Sequence, residues 1–428
     1  MDKQYILHHI PKSKEGTYYT IDFPMPDGME LVTITYNYKR FRKKTINMQK
    51  IINIVDLGIM DANNRFIGWS GSSRHSIFVG PYTATQGYSM VPLTSGTWKI
   101  IIGAYKIDDG GLDVNYEISY KKASSRWFAG DLHMHSTASD GKYDIYTLTK
   151  IAIQKNLDFI AVSNHNNYSE NMHLPVVPGL TLIPAVEWTH YLGHMNFFGV
   201  KTPFDNSFVA NNEQQMLNIV DNAKKAGAII SANHPRCKLC PYLWKTTSCL
   251  DMVEVWNGPM RQINMDAIEW WSEMLKDGRK IPIVGGSDFH KSHSFVRMGN
   301  PVTYVYADSP SLKDILHAVS QGHSYITSSV KGIKLGLSYS NAIMGDTVQY
   351  KSDEALIITA ENIKPGVRLE LISDNGIILD WATFNKEKFK SETIFKISPK
   401  FVYLIAKRKV FGKEYCCAIT NPIYFATS

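Results

Sequence analysis

The chain has 428 residues, with 46 Lys and Arg against 39 Asp and Glu, 44% hydrophobic residues and 20% charged ones. That balance excludes a disordered or fibrous chain as its main character; the length accommodates roughly two to four domains, with three as the working number. A formal net charge of +7 tolerates a phosphorylated or nucleic-acid partner without indicating one, because the surplus is thinly spread.

Residues 1–16 carry His8, His9, Lys12, Lys14 and Glu15 where a signal peptide needs an apolar stretch, and no run of 18 apolar residues occurs. A soluble cytoplasmic protein without membrane contact is expected, and five cysteines, an odd count, agree with a reducing compartment. The basic cluster Lys39, Arg40, Arg42, Lys43 and Lys44 reads as a solvated loop. Alternating runs such as 31–38 and 98–105, broken by Gly and Pro turns, predict that residues 1–125 form an accessory β-sandwich. Its Trp69, Tyr82, Tyr88 and Trp98 are expected in the core rather than as stacking platforms for sugars or bases.

From Trp127 onward the texture changes. Apolar runs 159–163, 180–186, 228–232, 252–256 and 281–286 alternate with helical patterns over 146–155, 213–226, 265–276 and 311–321. Strands alternating with helices predict parallel β/α units over 126–329. Beyond residue 330 helical periodicity disappears, and strand patterns over 356–360, 369–373, 393–397 and 402–407 predict a second small β-sandwich, 330–428.

Metal-ligand residue types cluster in the middle segment and fall repeatedly just past apolar runs, the catalytic edge of a β/α barrel. Gly130-Asp131-Leu132-His133-Met134-His135 places two histidines two residues apart, so on a strand both side chains point the same way and can chelate one ion. Asp140 follows in Ser139-Asp140-Gly141, run 159–163 ends in Asn164-His165-Asn166, and run 180–186 ends at Glu187. His194 in Gly193-His194-Met195-Asn196, His234 in Asn233-His234-Pro235, and Asp288 with His290 in Gly285-Gly286-Ser287-Asp288-Phe289-His290 complete the series. These nine imidazoles and carboxylates exceed the about four to six ligands of one ion, whereas two or three ions sharing a carboxylate use them all. Taken singly, His194 or Asp140 reads equally well as a core or capping residue; the set reads as a multinuclear hydrolytic site. His8, His9, His75, His173, His317 and His323 lack this context and are expected to be surface or structural. His190 and His293 lie near ligands in sequence and stay undecided.

In this order the motifs resemble those of the polymerase and histidinol phosphatase (PHP) superfamily of metallohydrolases, over residues 127–329. Glu254-Val255-Trp256-Asn257-Gly258 and the stretch 299–307 look like the CehA/McbA-like branch. The resemblance implies a distorted parallel β/α barrel holding two or three divalent ions, Zn, Mn or Fe. It puts His133, His135, Glu187 and Asp288 on one ion, a bridging Glu187 with His194 and His234 on a second, and Asp140, His165 and His290 on a third. The chain departs from the family at Asn164, where Asp is common. An amide there is expected to orient His165 without ligating, so Asn164→Asp is expected to keep activity and to tighten the third ion by its added charge.

Two cations about 3.5–4 Å apart lower the pKa of a bridging water toward about 7, so the implied nucleophile is a metal-bridging hydroxide. Asp288 or His290 then helps to protonate the leaving group. Lys142, Arg236, Lys291 and Arg297 adjoin ligands in sequence and are candidate phosphate contacts. A phosphoesterase acting on a phosphomonoester, a nucleotide or a nucleic-acid end is the favoured expectation. A carboxyl-ester or carbamate hydrolase using the same ions, and a non-catalytic binding protein that recognises glycans or partners through its β-domains, remain as alternatives. Cys237-x-x-Cys240 beside His234, with Cys249 nearby, lacks a fourth ligand for structural zinc and reads as loop or buried thiols, and Cys416-Cys417 as part of a strand.

Overall fold

The structure, a computed structural model, describes residues 2–45, 48–204, 207–292, 295–383 and 387–426. The chain divides into two compact units, Met1–Ser124 and Ser125–Ser428. No helix among the described residues is long and apolar enough to cross a membrane.

The first unit is built on strands: β1 (Asp2–Ile10), β2 (Tyr18–Met25), β3 (Met29–Tyr38), β4 (Phe41–Thr45), β5 (Met48–Ile51), β6 (Ile54–Met60), β7 (Phe66–Gly71), β8 (Ser76–Val79), β9 (Gly96–Lys106) and β10 (Leu112–Lys122). Two antiparallel four-stranded sheets, ordered β1-β10-β3-β8 and β2-β9-β6-β7, contribute to a single hydrophobic cluster. Alternation explains the burial: on β10, Leu112, Val114, Tyr116, Ile118 and Tyr120 face that core while the residues between them are more exposed. Trp98 and Tyr88 are core residues, whereas Trp69 sits edge-on to the exposed Tyr18 ring.

The second unit begins with β11 (Arg126–Met134), α1 (Ile145–Gln154), β12 (Phe159–His165), β13 (Thr181–Trp188), β14 (Met195–Phe198), α2 (Glu213–Lys225) and β15 (Ile229–Ala232). It continues through β16 (Met252–Asn257), α3 (Gln262–Lys276), β17 (Ile283–Gly286), β18 (Val302–Ala307), α4 (Leu312–Gln321) and β19 (Ser324–Thr327). Three of the helices are capped by the residue the sequence puts before them: Asp144 accepts from the Thr147 amide, Asn212 from Gln215 and Ser311 from Asp314. The strands run in the order β17-β16-β15-β14-β13-β12-β11-β18-β19. Pairing is parallel within β11-β12-β13 and within β15-β16-β17, but β14 is antiparallel to both neighbours, as is β18 to β11. The uniformly parallel alternation expected from sequence is therefore interrupted, because the short β13–β14 connection turns the chain back as a hairpin instead of crossing over a helix. Beyond β17 the chain returns to β11, where Asp288 N–H donates to His133 O (2.9 Å) and His135 N–H to Phe289 O (3.0 Å). That closure brings the two ends of the strand series, and their polar residues, together.

The C-terminal strands continue the same sheet, since Lys413–Thr420 pairs antiparallel with β19. Leu335, Leu356, Leu369 and Leu404 share a hydrophobic cluster with Met134 and Ile160 of β11 and β12. The boundary expected at 329/330 thus lies inside the second unit.

Candidate metal centre

Every expected ligand lies at one edge of this sheet. His133 is on β11 and His135 just past it, both fully buried, with ring centroids 5.3 Å apart. His165 ends β12, Glu187 is near the end of β13, His234 follows β15, and Asp288 and His290 follow β17. His194 precedes β14, and because that strand runs backwards its start shares the edge. Gly286 permits the close approach: a Cβ there would meet His133 Cβ at 2.3 Å and Glu254 Oε1 at 2.8 Å. His234 takes a left-handed φ of 30°, a strain on the order of 1 kcal/mol, and its amide is held by Glu254 Oε2 at 2.9 Å.

Glu187 is the hub. Its Oε1 faces His194 Nδ1 and His234 Nε2 at 3.1 Å each and His133 Nε2 at 3.4 Å, and accepts from Asn233 Nδ2 at 2.9 Å. Its Oε2 faces His165 Nδ1 at 2.9 Å and His135 Nε2 at 3.4 Å. Asp288 Oδ1 lies 3.1 Å from His135 Nε2 and 3.5 Å from both His133 Nε2 and His290 Nδ1. Asp140 closes the outer side, with His290 Nε2 at 3.2 Å and His165 Nε2 at 3.7 Å.

Burial alone pushes the Glu187 carboxyl up, yet His133, His165 and His194 hold it well below the usual carboxylate range. Burial lowers His133, but Glu254, Glu187 and Asp288 together raise it well above the ordinary imidazole value. His234 is raised against burial by Cys240 and Glu187, while His135, where burial dominates, is lowered.

The donor set fits divalent metal ions. His133 Nε2 and His135 Nδ1 are buried polar atoms without a hydrogen-bond partner among the described residues, a costly arrangement that an ion would relieve. Ligand atoms of His133, His135 and Glu187 lie within 4.8 Å of one another, as do those of His165, Glu187 and His194, and those of His135, Asp140, His165 and His290.

No family model matches the chain. It is 35% identical over 77 residues to the DNA polymerase/3'-5' exonuclease PolX of Bacillus subtilis, a stretch that takes in 18% of this chain and 13% of that protein. Among solved structures it is similar to a two-domain Bacteroides vulgatus protein described as containing a PHP-like metal-dependent phosphoesterase. That likeness has 19% identity and TM-score 0.41, covering 69% of this chain and 95% of the other. A Bifidobacterium adolescentis protein described as a metal-dependent phosphoesterase is 16% identical, with TM-score 0.30, covering 44% of this chain and 96% of that one. An amidohydrolase of Chromobacterium violaceum is 15% identical, with TM-score 0.31, covering 39% and 89%. The nine motif residues, spread over 158 positions from His133 to His290, lie together at this edge, five of the histidines in contact with the Glu187 carboxylate.

The site also uses residues beyond the nine candidate ligands. Glu254, buried on β16, takes His133 Nδ1 on Oε1 at 2.9 Å and accepts from the His234 amide and from Asn257 Nδ2 on Oε2. Its signal in the sequence is a carboxylate inside the apolar run 252–256. Thr189 Oγ1 partners His165 Nδ1 at 2.7 Å. Asp131, fully buried, accepts from Ser287 N, Ser287 Oγ and Gly299 N, tying β11 to the segment that carries Asp288. Burial pushes its carboxyl up to about 6.

Other expectations change. Asn164 does not contact His165; its Oδ1 accepts from Ser136 N and Ser139 Oγ and its Nδ2 donates to Glu170, so it pins the loop before Asp140. Of the four candidate phosphate contacts, Lys142 and Lys291 are exposed next to the cluster, the Lys142 amide bonding His290 O. Arg236 instead stacks over Trp270 at 5.0 Å, and Arg297 lines a separate cavity with Asn156 and Ser329. His190 is structural, stacked on Trp188 and bonded to Ala210 O, and His293 lies outside the described residues. Cys240 Sγ is 3.6 Å from His234 Nδ1.

Proposed function

We propose that the chain is a metal-dependent phosphoesterase acting on a phosphomonoester, a nucleotide or a nucleic-acid end. Its distorted β/α barrel (126–329), of the CehA/McbA-like branch, is flanked by β-sandwiches (1–125 and 330–428), and it works in the cytoplasm. The observation that carries this reading is Glu187, one buried carboxylate in contact with five histidines. In this reading His133, His135, Glu187 and Asp288 hold one ion, Glu187, His194 and His234 a second, and Asp140, His165 and His290 a third. Divalent ions held there supply Lewis-acid activation of water and of an ester oxygen.

The chain's own groups do the rest. Glu187 stays ionised between two positions, Glu254 fixes which ring nitrogen of His133 faces inward, and His165 Nδ1 is shared between Thr189 Oγ1 and Glu187 Oε2, which leaves its Nε2 toward Asp140. His290 and His165 are the most open imidazoles of the set, with 31% and 29% of their side chains exposed. Substrate therefore approaches from the Asp140 side, where His290 is placed to protonate a leaving oxygen, Asp288 stays ionised because, against burial, His133 and His135 hold its carboxyl well below the usual range, and Lys142 and Lys291 are placed to meet phosphate charge.

A second reading, a carboxyl-ester or carbamate hydrolase, is favoured by one feature. Tyr191, Leu239 and Leu243 stand exposed beside His194 and His234, while two of the four candidate cations point elsewhere. The test is hydrolysis of p-nitrophenyl phosphate and nucleoside monophosphates with Mn or Zn, with inorganic phosphate as competitor. Turnover inhibited by phosphate supports the proposal; turnover of p-nitrophenyl acetate or an aryl carbamate alone, insensitive to phosphate, overturns it in favour of the second reading.

A further inference from the structure

Two of the clustered imidazoles, His133 and His290, rest Nδ1 on an oxygen. His133 Nδ1 has Glu254 at 2.9 Å, and His290 Nδ1 has the Asp288 carbonyl at 3.0 Å. His234 departs from this pattern. Its Nε2 faces Glu187 Oε1 at 3.1 Å, and its Nδ1 has a sulfur, Cys240 Sγ, at 3.6 Å. We propose that Cys240 is a positioning residue for the second metal position: its sulfur accepts the Nδ1–H of His234 and so keeps the Nε2 lone pair aimed at the ion. This rests on the reading of Glu187, His194 and His234 as a metal position.

The loop is built to hold the sulfur there. Cys237 N–H donates to His234 O at 2.8 Å and Tyr242 N–H to Pro235 O at 3.0 Å, closing the loop at both ends. Leu243 N–H donates to Leu192 O at 2.7 Å, and a Cβ on Gly193 would come within 2.9 Å of the Tyr242 backbone, so the segment that carries His194 is packed directly on it. Both histidines of the second position are therefore braced by the loop that carries Cys240.

A thiol in this role differs in consequence from a carboxylate. Cys240 is half-buried and forms no disulfide, so electrophiles and peroxides can reach it. Alkylation or oxidation adds bulk at the sulfur and displaces it from His234 Nδ1, which frees His234 to rotate or change tautomer and weakens the second ion while leaving the others in place. Occupancy of one position of the centre thus depends on the state of one thiol.

The test measures metal content and affinity of the full chain, reconstituted with Zn, for the wild type, Cys240→Ala, Cys240→Ser and Cys237→Ser. Losing an outer partner of a metal-bound histidine typically costs 10–100-fold in affinity. Cys240→Ala is expected to lose that much at one ion per chain, Cys240→Ser to recover most of it through its hydroxyl acceptor, and Cys237→Ser to match the wild type. Iodoacetamide labelling of the folded Cys237→Ser chain, confirmed by peptide mass, repeats the test without a folding step and is expected to release the same ion. Wild-type affinity in Cys240→Ala, or full metal content after complete labelling of Cys240, overturns the inference. So does a sulfur-to-metal charge-transfer band in the cobalt-substituted wild type, which would make Cys240 a ligand. A wild type that binds no ion defeats the metal reading itself, a separate outcome.

Discussion

Glu254→Gln keeps the shape of the cluster and removes one charge, and the hydrogen-bond pattern shows why the exchange cannot be neutral. One carboxylate edge takes His133 Nδ1, and the other accepts from the His234 amide and Asn257 Nδ2. A carboxylate accepts on both edges; an amide accepts on one and donates on the other. If the amide oxygen faces His133, an NH2 group opposes the His234 amide and Asn257 Nδ2, leaving buried donors unsatisfied at a cost of about 1–3 kcal/mol each. If it faces His234, the NH2 group requires His133 Nδ1 as an acceptor, which puts the ring proton on Nε2, the nitrogen that faces Glu187 and Asp288. Either outcome spoils one face of the site. The metal-free variant is expected to lose about 1–3 kcal/mol in urea denaturation, and Mn or Zn affinity at the first position to fall by roughly 10–100-fold in calorimetric titration. A variant with wild-type denaturation midpoint and wild-type affinity would refute the assignment of Glu254 as the group that sets the His133 tautomer.

Metal binding should expel protons. Neighbouring carboxylates for His133, and Cys240 with Glu187 for His234, raise both imidazoles against burial, which favours their protonated forms in the metal-free chain, and an ion must displace whatever protons they hold. Calorimetry in two buffers of different ionisation enthalpy should therefore show net proton release on metal binding, with apparent affinity falling as pH falls; buffer-independent heats would contradict the shifts. Asn164→Asp should weaken the third position and lower the denaturation midpoint, because it sets a carboxylate against Glu170, which Asn164 Nδ2 now meets at 3.0 Å. Tighter third-ion binding in that variant would show instead that added charge outweighs the lost hydrogen bond.

The gathering of the nine candidate ligands at one edge is legible in the sequence because residues at a sheet edge follow apolar runs, and the runs can be read. Helices over 213–226 and 311–321 are similarly readable from periodicity and caps, and appear as Glu213–Lys225 and Leu312–Gln321. Glu254 stands in a motif that the sequence shows, but its pairing with His133 is not legible there because that partner lies 121 positions away. Asn164 reads through its neighbour His165, although its bonds go to Ser136, Ser139 and Glu170. Two further features escape for the same reason, that pairing partners are absent from local texture. These are the reversal of β14 and the pairing of Lys413–Thr420 with β19, which carries the C-terminal strands into the same sheet. The side chains of Arg236 and Arg297 adjoin ligands in sequence yet turn to Trp270 and to a separate cavity, as long flexible cations readily do.

The central claim is that Glu187 joins at least two metal positions. The most direct measurement is metal content per chain, by elemental analysis, after purification without chelator and after reconstitution with Mn or Zn. The account predicts two or three ions per chain, falling to one or none in Glu187→Gln. One ion or fewer in the fully reconstituted wild type, or an unchanged count in Glu187→Gln, would contradict it.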